Sequence, residues 1–112
     1  MRLPFFLASR FVAGETLEAA LPQVRSLNQK GLHVTLDLLG EYVSDRKVAA
    51  RFTQTYLHLL TQIGQTPGLD CNISMKLSMI GQKIDAEFCL DNLHKMLTVA
   101  KEQNIFVRLD ME

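Results

Sequence analysis

Residues 105–112 read IFVRLDME. With a period of two, Ile105, Val107, Leu109 and Met111 form an apolar row, and Phe106, Arg108 and Asp110 form a second row that ends on a charge. That period belongs to a strand with two different faces. The pattern recurs twice upstream. In LHVTLDLLG, from Leu32 onward, Leu32, Val34, Leu36 and Leu38 alternate with His33, Thr35 and Asp37. In CNISMKLS, from Cys71 onward, Cys71, Ile73, Met75 and Leu77 alternate with Asn72, Ser74 and Lys76. Each polar row carries a charge near its C-terminal end: Asp37, Lys76 and Asp110.

Helical periodicity fills the intervals. GETLEAALPQVRSLNQKG predicts a helix capped by Thr16, with Leu17, Ala20, Leu21, Val24 and Leu27 on one face, Gly31 closing it and Pro22 expected to kink it. SDRKVAARFTQTYLHLLTQIG predicts the strongest helix, with Ser44 as N-cap and Val48, Phe52, Tyr56, Leu59, Leu60 and Ile63 turned inward. Gly64 and then Pro67-Gly68 end it. DAEFCLDNLHKMLTVAKEQN predicts a third, opened by Asp85, with Cys89, Leu93, Met96, Leu97 and Ala100 facing the core.

Composition narrows the function classes. The 112 residues are 47% hydrophobic and 21% charged with no formal net charge, which fits one globular domain with a modest core. The absence of a basic run argues against nucleic acid as a partner. The opening MRLPFFLAS is apolar but too short to span a bilayer and lacks the layout of a secretory leader, so a cytoplasmic location is expected. Cys71 and Cys89 read as small buried hydrophobes, and His33, His58 and His94 show no ligand spacing, so no metal is assigned.

Strands separated by helices of this length imply parallel pairing with right-handed crossovers. Parallel sheets covered on both faces have nearly continuous apolar strands, and these strands are half polar. Helices all on one side of a curling sheet reconcile the two facts. The fold class expected is α/β: a partial (βα)8 TIM-type barrel, truncated, with three parallel strands alternating with helices. The polar rows then line the interior, and Asp37, Lys76 and Asp110 stand at the C-terminal mouth, where barrel active sites are built. A lysine buried there costs several kcal/mol unless it is paired or held for a ligand. Two readings follow from pattern alone: an ion pair of Lys76 with Asp37 or Asp110, or a functional mouth with one cation and two acids.

RFVAGETLEAAL, VTLDLLGEYV, ISMKLSMIGQKID and VRLDME, in this order and spacing, resemble the proline dehydrogenase family. The resemblance runs from about Phe11 to Glu112 and implies a β/α-barrel flavoenzyme of proline catabolism. Such an enzyme oxidises L-proline to Δ1-pyrroline-5-carboxylate with FAD as hydride acceptor. It implies that Lys76 binds the substrate carboxylate, that Asp110 is an active-site acid, and that Met111 lies against the cofactor. Glu41 corresponds to a gate acid and Asp37 to a supporting charge. A quinone-type electron acceptor and peripheral contact with the inner membrane are further implications.

A β/α barrel takes eight strands and ~250 residues, and three strands are legible here. Residues 1–112 are therefore expected to be the N-terminal portion of a proline dehydrogenase barrel domain, a helix followed by β-α-β-α-β. Alone, such a piece is expected to be inactive and to retain little FAD. Two other classes stay open. One is the first part of a different β/α-barrel enzyme with Lys76 as a Schiff-base amine. The other is a non-enzymatic βαβαβ interaction module.

Overall fold

The computed structural model describes residues 17–38 and 43–110, with the backbone alone for residues 17–20. The elements run α1 (Leu17–Gln29), β1 (Val34–Asp37), α2 (Arg46–Gly64), β2 (Cys71–Met75), a 3-10 turn (Leu77–Met79), α3 (Ala86–Gln103) and β3 (Val107–Leu109). The three strands form one parallel sheet in the order β1-β2-β3. Sequential order, parallel pairing and a helix in each crossover are the arrangement of a partial (βα)8 barrel.

Local chemistry explains where the helices stop. At the end of α1, Gly31 takes φ +83, Leu32 N–H donates to Leu27 O at 3.1 Å and Gly31 N–H to Asn28 O at 2.9 Å. This is a Schellman closure, and the left-handed residue it needs is the expected glycine. Asn104 closes α3 the same way at φ 59, with Ile105 N–H bonded to Ala100 O at 2.8 Å. Asp85 caps α3 as expected, its carboxylate accepting from the N–H groups of Glu87 and Phe88. The cap of α2 is Asp45 and not Ser44: Asp45 is the extended residue, and its Oδ1 accepts from Lys47 N–H at 2.8 Å. Ser44 stands one residue too early for that reach. Helix α1 continues through Pro22, and Thr16 lies outside the described residues.

The core lies between the helices and one face of the sheet. Leu59 and Leu60 of α2, with Met96 and Ala100 of α3, join Val34, Leu36, Ile73 and Met75 of the strands and Val24 and Leu27 of α1 in a single buried cluster. The apolar rows therefore face the helices, as the alternation requires. Truncating a fully buried Leu59, Ile73 or Met96 to Ala would cost about 2–5 kcal/mol. One inward assignment fails, and one inward residue was not marked by periodicity. Leu97 is 44% exposed, while Asn92 is buried and donates to Ile80 O at 2.8 Å. The inward face of α3 runs through Cys89, Asn92, Met96 and Ala100, which leaves Leu97 on its flank.

The strands are shorter than the alternating runs that announce them. After Met75 the chain turns into the 3-10 helix, so Leu77 leaves the strand. Strand β3 is an edge: it pairs with β2 on one side, and Leu109 is 41% exposed. Both cysteines are buried free thiols, and burial pushes Cys71 up to about 12.

Candidate functional site at the C-terminal edge of the sheet

The face opposite the helices carries Thr35, Asp37, Asn72, Ser74, Arg108 and Asp110. Register fixes their alignment, because Asp37 is the Cα partner of Ser74 and Ser74 that of Arg108. Asp37 ends β1, Lys76 follows the last residue of β2, and Asp110 follows the last residue of β3. The structure thus brings together at one edge the three charges singled out by alternation. Glu41 and Met111 lie outside the described residues.

Lys76 is half-buried, with extended backbone (φ −116, ψ 137), at the point where the chain leaves β2 for the 3-10 turn. That turn is tied to the loop after β1 by the bond from Val43 N–H to Ser78 O at 3.1 Å. Asp37 is held above the usual carboxylate range. Burial is the main cause, the charge of Asp110 adds to it, and Lys76 and the Tyr56 hydroxyl act in the opposite direction. Asp37 therefore feels the charges of both Asp110 and Lys76.

Two residues join this group that alternation and motif did not mark as functional. Ser74 is 4% exposed, and its hydroxyl donates to Asp110 Oδ2 across the β2–β3 pair. Its place on the polar row between Asn72 and Lys76 was the available signal. Tyr56, on the inward face of α2, is fully buried. Its hydroxyl donates to Ser74 O at 3.1 Å, accepts from Leu38 N–H at 3.4 Å and lies 3.5 Å from Asp37 Oδ1. Burial and the neighbouring Asp37 carboxylate hold its phenol well above the ordinary tyrosine value. A lone polar group in the otherwise apolar row of Val48, Phe52, Leu59, Leu60 and Ile63 was its signal.

Chemically, one ammonium beside two carboxylates, on a face that none of the described helices covers, can bind a small zwitterion. The lysine matches an anionic group and the acids match a cationic or hydrogen-bond-donating group. His33 and Asp70 contact each other before β1 and β2, at the opposite edge of the sheet, and take no part.

A model of the proline dehydrogenase family matches residues 20–112. Proline dehydrogenase 1 of Bacillus subtilis subsp. natto is 39% identical over 105 residues, covering 94% of this chain and 34% of the relative. Proline dehydrogenase of Deinococcus radiodurans is 36% identical over 109 residues, covering 95% of this chain and 35% of the relative. The chain thus spans about a third of the length of these curated relatives. Among solved structures, proline utilization A from Bdellovibrio bacteriovorus, inactivated by N-propargylglycine, superposes with a TM-score of 0.77 at 24% identity, over 96% of this chain and 14% of that one. That likeness is one of fold. The family match takes in all three strands and the charge at the end of each, so the motifs around Asp37, Lys76 and Asp110 and the sheet that aligns them lead to one conclusion: the chain belongs to the proline dehydrogenase family.

Proposed function

We propose that residues 1–112 form the N-terminal portion of a β/α barrel that oxidises L-proline to Δ1-pyrroline-5-carboxylate. The observation that carries this reading is the meeting of Asp37, Lys76 and Asp110 at the C-terminal edge of the sheet, on the face opposite the described helices, in a chain of this family.

Lys76 binds the proline carboxylate. A compact ammonium in a half-buried position suits that task, since charge pairing strengthens where water is scarce. Asp110, fixed by Ser74, accepts a hydrogen bond from the substrate amine and balances the lysine. Asp37 tunes the same charge balance from the next strand. The amine reacts in its neutral form: its lone pair becomes the second bond of the C=N group as hydride leaves the adjacent ring carbon, and the iminium so formed releases its N–H proton to water to give Δ1-pyrroline-5-carboxylate. From the family resemblance Glu41 is assigned as a gate acid and Met111 as a cofactor contact.

The donor set fits a flavin enzyme: a cation for an anionic substrate and acids that orient an amine, with no group on the described face able to accept a hydride. When bound, FAD supplies that acceptor, and the protein supplies orientation and electrostatics. Other strands of the barrel are assigned the grip on the rest of the cofactor. We therefore expect the 112-residue polypeptide by itself to hold no flavin and to turn over no proline.

The electron acceptor beyond the flavin is assigned as a quinone, reached from the cytoplasm by peripheral contact with the inner membrane. Among the described residues no helix is long and apolar enough to cross a membrane. The test is proline-dependent dye reduction by the full product of the gene encoding this chain. Reduction with L-proline supports the reading, and a flavin-loaded protein indifferent to proline overturns it.

A further inference from the structure

The two strand pairs end differently. After the last β2–β3 pair, Met75 with Leu109, the next rung is a direct backbone bond from Asp110 N–H to Met75 O at 2.8 Å. After the last β1–β2 pair, Asp37 with Ser74, the equivalent donor and acceptor are Leu38 N–H and Ser74 O. There the Tyr56 hydroxyl occupies the rung, accepting from Leu38 at 3.4 Å and donating to Ser74 at 3.1 Å. One side-chain oxygen thus satisfies both backbone groups and keeps them a hydroxyl's width apart.

We propose that Tyr56 is a positioning residue for the site, a wedge in the β1–β2 ladder that splays the two strands at the mouth and fixes Asp37 beside Lys76. The inference rests on the reading of this edge as a proline site. Phenylalanine would fill the same buried space, but Leu38 N–H and Ser74 O would then face each other unpaired. The economical relaxation is closure to a direct rung near 2.9 Å, the ordinary N–H···O length. Closure draws Leu38, and with it Asp37, towards β2. Ser74 would feel the change as well, since its carbonyl serves Tyr56 while its hydroxyl serves Asp110. The groups acting on Asp37 come from three elements: Tyr56 from α2, Lys76 from the end of β2 and Asp110 from the end of β3.

The experiment compares the full gene product with its Tyr56→Phe, Asp37→Asn and double variants. Tyr56→Phe is expected to raise KM for L-proline about fivefold, the effect of one modest hydrogen bond, with kcat within about twofold. Asp37→Asn should raise KM as much, and the double variant should be no worse than either single. In Tyr56→Phe the Asp37 carboxyl, followed by carbon-13 NMR, should titrate higher, and amide exchange at Leu38 should change. A purely structural tyrosine would lower stability and leave KM and the Asp37 titration where they are, and that result overturns the proposal. Multiplying losses in the double variant also overturn it. If the wild-type protein ignores proline, the functional reading falls, and the titration and exchange data still decide the role of Tyr56. Should Tyr56→Phe fail to fold, an unchanged KM in Asp37→Asn overturns the proposal.

Discussion

Ser74 on β2 donates its hydroxyl hydrogen bond to the carboxylate of Asp110 at the end of β3. The serine is buried, so the bond both satisfies its hydroxyl and fixes the acid at the sheet edge. Ser74→Ala is therefore expected to cost about 1.5–3 kcal/mol in denaturant unfolding, as for a buried hydrogen bond to a charged group. It should also lower kcat/KM for L-proline by about tenfold, through loss of orientation at the acid. Ser74→Thr, which keeps the hydroxyl, should recover most of the activity.

Asp110→Asn tests charge apart from shape, because an amide oxygen can still accept the Ser74 bond. We expect kcat to fall by roughly ten- to a hundredfold while the fold persists. The Asp37 carboxyl should titrate lower in this variant, since the charge of Asp110 is one of the causes that raise it. Carbon-13 titration of Asp37 in the two proteins measures this directly.

The raised pKa of Asp37 has a stability consequence of definite sign. Above the ordinary aspartate value of 3.8 the unfolded chain releases this proton more readily than the folded one, so stability falls as pH rises through the window between the two values. Below 3.8 the carboxyl is protonated in both states and the penalty is absent. Asp37→Asn is thus expected to raise Tm at pH 7, with the gain vanishing in acid. A Tm gain of equal size at both ends of the pH range would contradict this cause.

Capping discriminates between adjacent residues. Asp45→Ala should cost about 1 kcal/mol by removing the acceptor for Lys47 N–H, whereas Ser44→Ala should be nearly neutral. Thermal unfolding of the two variants side by side settles which residue starts α2.

Much of this architecture was legible in alternation alone. The period of two in all three strands predicted one face turned to the helices and a polar face turned away from them, and the position of Asp37, Lys76 and Asp110 within each run predicted their meeting at one edge. The helix stops at Gly31 and the cap at Asp85 were legible because they depend on a few neighbouring residues. What escaped depends on three-dimensional closure. The rotation of α3 that buries Asn92 and exposes Leu97 is set by its packing on α2 and by the carbonyl of Ile80, which periodicity does not contain. The role of Tyr56 was hidden because an inward tyrosine and an inward phenylalanine look alike until the ladder rung it occupies is known. The shift of the α2 cap by one residue reflects two adjacent side chains of similar capping propensity, decided by backbone conformation at Asp45.

The central claim is that the charged edge formed by Asp37, Lys76 and Asp110 handles proline, and the most direct test is anaerobic titration of the flavin-loaded gene product with L-proline, wild type against Lys76→Met. The account predicts that proline bleaches the wild-type flavin band and that the variant needs about tenfold more proline or greater to reach half-bleaching, as expected for loss of a charge-assisted contact. Half-bleaching at the same proline concentration in both proteins would contradict it.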